Sequence, residues 1–352
     1  MSCVVEISIC RFTSNMTGSG GGGELGHYAA AGDGGDGGAI YALSSTIRLN
    51  ESEFSWNHTG SGGSNGLGYG DGGDGGNGGT LCIQAGSVAE IVGCTFDNSY
   101  TGPGGNGEDS PDGFGGIGGY GGTVYCESSA LRAQLSSIKH STTGDGGELG
   151  GYISGTSDGG GLYALSSTIA LTKCEFTFNL TGRAGYYRYA RSSGRGGAAC
   201  FLGSAVSIDG CLIQRNKTGD GIAGARGNGR SGQGGGLFFD ACSSVQVYNC
   251  TIAENGTGNL QGTGGENLNR TGDGGGLAIL QSPARVENCL IYGNFTGDGD
   301  MEVYANSSGN GGGIYCAHGT GVEIVGCTVV GNRCGIGGDW LPDGPNGQGG
   351  GV

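Results

Sequence analysis

Pairs of apolar residues two positions apart recur along the chain at intervals of 37 to 43 residues. One set reads Ile40/Ala42, Leu81/Ile83, Val124/Cys126, Leu162/Ala164, Ala199/Phe201, Leu237/Phe239, Leu277/Ile279 and Ile314/Cys316. A second reads Val5/Ile7, Ile47/Leu49, Ala89/Ile91, Ile169/Leu171, Val206/Ile208, Val245/Val247 and Val322/Ile324, with a mostly polar residue between the two members. Alternation with period two over so few residues predicts short strands with one face inward. After the second pair comes a nine-residue motif, Cys-x-apolar-x-x-Asn-x-Thr-Gly, as in Cys174 to Gly182, which fits the chain nine times. Its closing glycines stand at 18, 60, 102, 144, 182, 219, 258, 297 and 335. Three residues, an odd number, separate the second apolar pair from the Cys column, so the chain must bend there to keep both inward.

Three short strands cannot bury their inner faces alone, whereas stacked coils bury a continuous core and pair their backbones between neighbours. The pattern therefore predicts an all-β chain, a parallel β-solenoid of about nine rungs with long Gly-rich corner loops, and a single domain over residues 1–352. A β-sandwich or propeller would need a different turn rhythm.

The elements Gly-Gly-Ala39-Ile40, Gly-Gly-Thr80-Leu81 and Gly-Gly-Gly313-Ile314, followed by Phe54-Ser-Trp-Asn57 or Phe176-Thr-Phe-Asn179, resemble the repeats of the chlamydial polymorphic membrane proteins and related β-helical adhesins. The resemblance spans the whole chain. It implies a right-handed parallel β-helix displayed outside the cell as a stalk, passenger or adhesive surface. The chain departs from that family in lacking a C-terminal membrane barrel, in its long Gly-rich insertions and in the Thr-Gly after the Asn.

Composition narrows the partners. The 89 glycines come with almost no proline and no sustained Gly-X-Y register, which excludes collagen. A net charge of −15 argues against nucleic acid. No apolar run is long enough for a membrane span, and residues 1–20 lack the features of a secretion signal. Ten Asn-x-Ser/Thr sequons, at Asn15, Asn50, Asn57, Asn179, Asn216, Asn249, Asn255, Asn269, Asn294 and Asn306, favour an extracellular or cell-surface glycoprotein.

Several columns carry chemistry. In the Asn column, Asn15, Asn57, Asn179, Asn216, Asn255 and Asn294 are full sequons. An inward amide ladder and an outward N-linked glycan exclude each other there, and the added Thr favours glycans. The inward Cys column, Cys10, Cys94, Cys174, Cys211, Cys250, Cys289 and Cys327, holds either free thiols filling the core or disulfides between rungs. Parity points Cys82 and Cys200 outward, which makes them the more reactive thiols. The outward aromatics Tyr41, Tyr125, Tyr163, Phe238 and Tyr315 form a patch expected to pack within the chain. The Gly-rich segments read as mobile surface loops or, alternatively, as polyproline-II-like strands that pair between rungs. Their Asp residues read first as solvated charge; Asp71, Asp74, Asp298 and Asp300 are weak candidates for Ca2+, the one cofactor the sequence suggests besides glycans.

An enzymatic site is not expected: no rung breaks the repeat with its own acidic cluster, and His27, His58, His140 and His318 share no repeat position. Arg183, Arg188, Arg191, Arg195, Arg226 and Arg230 form a basic collar, expected to dock laterally on the Asp-rich loops of a neighbouring rod. The chain starts with the second and third parts of a rung and closes with a first part, so head-to-tail stacking of copies, or a longer covalent array, is expected. The function expected is that of a structural extracellular fibre or adhesin component. A carbohydrate-binding or carbohydrate-active β-helix, lyase- or hydrolase-like, is the alternative.

Overall fold

The computed structural model describes residues 3–23, 30–65, 70–107, 113–148, 157–183, 192–222, 229–261, 269–299, 307–318, 321–337 and 346–352. These residues form no helix. Their strands make three long parallel sheets, in which each interior strand pairs with its equivalent one coil before and one coil after, and a short two-stranded parallel sheet of Gly221–Ile222 with Leu260–Gln261. Sheet I has eight strands, from Ile40–Leu43 to Ile314–Ala317. Sheet II has nine, from Val4–Ser8 to Val322–Val325, and sheet III nine, from Arg11–Thr13 to Thr328–Val330. Register is exact to the repeat: Ile47 opposes Val5 and Ala89, and Phe54 opposes Phe12 and Phe96. The β-solenoid read from the apolar pairs is thus present.

The core is the inner face of the three sheets, filled by the predicted columns. Phe54 stacks on Phe12 at 5.0 Å and on Phe96 at 4.8 Å, and Phe201 stacks on Phe239 at 5.1 Å. These separations are the rise from strand to strand in a sheet, so like residues stack on like without adjustment.

The bends follow one rule at three corners. A single residue in the left-handed region ends each strand, such as Ser44, Glu51 and Trp56 in one coil, at φ 48°, 46° and 57°. That conformation costs a non-glycine residue about 1 kcal/mol or more, and it turns the next backbone N–H away from its own sheet. A side-chain acceptor on the following coil takes that N–H: Ser45 N–H donates to Ser87 Oγ, Cys10 N–H to Ser52 Oγ, and Asn15 N–H to Asn57 Oδ1, each at 3.0 Å. The odd three-residue spacing is therefore resolved by one left-handed residue per corner.

The Gly-rich segments are not loose loops in the parts described. Each runs out from the coil and back, and both legs pair with their equivalents through backbone hydrogen bonds. Gly20 N–H donates to Ser61 O at 2.9 Å, and Gly34 N–H to Asp74 O at 2.8 Å. The outgoing and returning legs also bond each other, as in Gly63 N–H to Gly32 O, Gly73 N–H to Gly63 O and Gly105 N–H to Gly73 O, at 2.8 to 2.9 Å. The legs approach so closely that a Cβ on Gly60 would lie 2.0 Å from Gly18 O, and one on Gly104 1.9 Å from Gly116 O. This corrects the expectation of mobile loops and matches the paired alternative. Local flexibility argues for a loop, but glycine at equivalent positions of successive coils allows a lattice that only glycine can enter.

Candidate functional site

The chemistry-bearing columns are mostly occupied in joining coils. Asn57, Asn179, Asn216, Asn255 and Asn294 are all buried. Asn216 Oδ1 accepts from Asn179 N–H at 3.0 Å and from Asn179 Nδ2 at 2.9 Å, while its own Nδ2 donates to Asn255 Oδ1 and Phe176 O, both at 2.9 Å. Asn15, on the exposed first coil, donates Nδ2 to Asn57 Oδ1 at 2.8 Å. The glycan stripe expected at Asn15, Asn57, Asn179, Asn216, Asn255 and Asn294 is therefore corrected. A sugar on Nδ2 would replace a hydrogen that the ladder uses, inside a packed corner.

The Thr that suggested sequons has another reason to be there. Thr59 Oγ1 donates to Gly76 O on the returning leg at 2.6 Å and accepts from Gly102 N–H of the next coil at 2.9 Å. Thr181 does the same with Gly194 O and Gly219 N–H, both at 2.8 Å. Each Thr locks the Asn corner to the glycine lattice.

The Cys column points inward as parity requires, and its thiols are free; none of the fourteen cysteines is in a disulfide. Sulfur plays the part that Ser plays at Ser52 and Ser136: Cys174 N–H donates to Cys211 Sγ at 3.3 Å, and Cys94 N–H to Ser136 Oγ at 3.0 Å. From Cys174 to Cys327 each thiol lies beside the thiol of the next coil as well as its backbone, yet none is joined to it, so the disulfide alternative is not realised. Burial pushes the Cys94 thiol up and Cys126 up to about 11.

Cys82 and Cys200 do point out of the coil, but both are fully buried in a second apolar cluster with Tyr125, Tyr163, Phe238 and Ala278. The returning glycine leg lies over the outer face of sheet I there; its Tyr120 ring packs on Tyr163 at 4.8 Å and its Arg195 lies over Phe238 at 4.7 Å. Burial raises both thiols well above their ordinary value. Their expected reactivity is corrected, since an outward side chain is not an exposed one under a second layer. The outward aromatics pack within the chain at Tyr125, Tyr163 and Phe238, while Tyr41 on the second coil is exposed.

Asp71, Asp74 and Asp298 each accept a backbone N–H from the next coil, from Phe114 at 2.8 Å, Ile117 at 2.7 Å and Ile336 at 2.9 Å. Asp300 lies outside the described residues. Among the described residues no three His, Cys, Asp or Glu side chains gather in a group that could hold a metal ion. Burial raises the carboxyls of Asp36 and Asp74, against the pull of the N–H groups they accept.

Of the basic collar, Arg188, Arg191 and Arg226 lie outside the described residues. Arg195 is corrected: it pairs within its own chain with buried Asp158 at 2.7 Å, which removes it from a lateral contact. Arg183 and Arg230 are exposed. Arg230 borders a cleft of ≈ 340 Å³ with Arg195 and Arg270, in which Arg270 is also neutralised, by Asp273 at 2.5 Å.

A second, wider groove of ≈ 460 Å³ opens where sheet III meets the outgoing glycine legs. It is lined by Trp56, Asn98 and His140, at equivalent positions of three successive coils, and by Tyr100, Thr142 and Asp145. Sequence reasoning missed these residues because the position ahead of the Asn column varies from coil to coil. That variability, in a chain whose other columns repeat, was the available signal.

No family profile and no curated protein matches the chain. Among solved structures, it is similar to a mutant of the periplasmic alginate epimerase AlgG, at 12% identity over 84% of this chain and 78% of that one, with a TM-score of 0.13. It is also similar to the A-module of the Azotobacter vinelandii mannuronan C-5 epimerase AlgE4, at 11% identity over 83% and 91%, with a TM-score of 0.15. Likenesses this slight carry no argument about what the chain does.

Proposed function

We propose that the chain is a structural element of the extracellular surface, a stiff rod segment of a fibre or adhesin, and not an enzyme. The observation that supports this reading is that the Asn, Thr, Ser, Cys and Asp columns are engaged in coil-to-coil hydrogen bonds. Side chains bonded in this way along a whole rod serve cohesion; catalysis needs a local break in the column, with polar groups converging on open space. An extracellular location goes with this reading through the sequon at Asn249, whose side chain is exposed on the outside of the coil, bonded only at its tip to Asp209 at 2.8 Å.

The test has two arms. Antibody labelling of intact cells should reach the chain, and incubation with a panel of uronate and neutral polysaccharides should release neither reducing ends nor unsaturated products. A chain confined to the cell interior would overturn the surface reading. Turnover abolished by a single carboxylate substitution would overturn the structural one.

A further inference from the structure

The groove beside Trp56 is not explained by cohesion. Trp56, Asn98, His140 and Phe178 occupy the left-handed corner position, at φ 57°, 52°, 50° and 59°, where the backbone turns the side chain away from the core. Glycine is the residue that meets this conformation without strain, and it stands at the same position in later coils, at Gly293 and Gly331. Large rings are held here nonetheless: Trp56 is 55% exposed and Phe178 47%, and two residues further along the chain Tyr100 is 41% exposed. A strained position that carries an exposed aromatic points to a role outside packing.

Four of the rings stack in pairs. His140 stacks on Phe178 at 5.3 Å, and Tyr100 on His58 at 4.4 Å. Asn98, between Trp56 and His140, is short, and Thr142 follows Tyr100 in its column, so each stack ends on an open coil. Two coil rises separate Trp56 from His140, roughly 9.6 Å. Contact on two faces takes up roughly 3.5–4.0 Å on each, which leaves a slot for one ring-shaped ligand.

Charge selects the ligand. A chain of net charge −15 repels polyanions, which removes nucleotide bases carried on phosphate. Of the nearest carboxylates, Asp97 is bonded to His140 Nδ1 at 2.8 Å, while Asp145 accepts Arg183 N–H at 2.7 Å and keeps its charge at the rim, so a cationic ligand is the competing case, tested with choline. The remaining chemistry is aromatic faces flanked by amide and hydroxyl groups. That suits the C–H face and hydroxyl rim of a sugar ring.

We propose that this groove binds one uncharged hexopyranose unit of a glycan, held between Trp56 and His140 above Asn98. The proposal stands apart from the structural reading, because a rod could carry this groove with or without a ligand.

The chain has two tryptophans, Trp56 and Trp340, so in a Trp340→Phe background the fluorescence reports on the groove. The probes are cellohexaose, chitohexaose and mannohexaose, with polygalacturonate and choline as charged comparators and circular dichroism as the check on folding. Saturable binding of at least one hexamer at millimolar concentration is expected. Calorimetry on the folded Trp56→Ala variant should show binding weaker by about tenfold or more. Asn98→Trp, which fills the slot, should abolish it, while Tyr41→Ala on another face should leave it unchanged. The proposal fails if none of the three hexamers binds, if Asn98→Trp leaves binding intact, or if a charged comparator binds more tightly than every hexamer.

Discussion

Replacing Asn216 by Ala removes from one corner the two hydrogen bonds accepted from Asn179 and the two Nδ2 hydrogens, which are shared among Asn255 Oδ1, Phe176 O and Gln214 O. The partners suffer unequally. Asn179 Nδ2 still reaches Ile138 O at 3.0 Å, and Asn255 Oδ1 still accepts from the residue 216 N–H at 3.0 Å. The Asn179 backbone N–H loses its acceptor in a position where both side chains are buried. An orphaned buried donor costs about 1–3 kcal/mol, and each shared bond lost adds about 0.5–1.5 kcal/mol. With the partial compensation just described, the loss should come to about 3–5 kcal/mol. The same substitution at Asn15, which is exposed and only donates to Asn57, should cost under about 1 kcal/mol. Urea unfolding followed by circular dichroism, with hydrogen exchange at the Asn179 amide, measures both. If Asn216→Ala and Asn15→Ala cost the same, or if Asn216 from a glycosylating host carries a sugar in the folded protein, the ladder does not hold the corner and the reasoning is wrong.

Gly60→Ala should destabilise by about 3 kcal/mol, since its Cβ would meet Gly18 O at 2.0 Å, whereas Gly21→Ala, with open space around it, should stay within about 0.5 kcal/mol in the same urea assay. The double variant Asp36→Asn, Asp74→Asn should be more stable than the parent at neutral pH, because Oδ1 still accepts the N–H of Asn77 and Ile117 while the desolvated charge is gone. Burial raises both carboxyls in the folded state, so the parent loses stability as pH rises through their folded pKa; the gap between parent and variant should close at acid pH, below the ordinary carboxylate value of 3.8.

The coil was legible because its signals are local and repeated: the parity of Ile47/Leu49 and the odd step to Ser52 together require a corner, and the structure supplies it at Glu51. What escaped were interactions whose partners lie in another layer. Asn179-Leu-Thr181 reads equally as a sequon and as a ladder residue two before a leg anchor. Only the return of the chain at Gly194, thirteen residues on, decides between them. Cys200 was assigned the correct side of its strand, but nothing in that strand tells that Arg195 and the glycine leg fold over it. The corner serines Ser87, Ser129, Ser167 and Ser204 repeat as plainly as the cysteines, yet a serine has no meaning as an acceptor until the coil beneath it is placed.

These corners also explain how the columns can change identity without changing the fold. Each position asks for one thing, an oxygen or sulfur acceptor about one coil rise from the backbone N–H below it. Ser52 beside Cys94, Ser141 beside Asn179 and Cys242 beside Ser282 all meet that demand. The demand is set by the neighbouring coil and not by the residue's own strand, so every coil is completed by the next. Stability in such an array is a sum over neighbouring pairs. A corner lost in the interior then weakens the coils on both sides, whereas the same loss on the first coil lets only that coil fray. This asymmetry makes the comparison of Asn216 with Asn15 a test of the architecture as well as of a side chain.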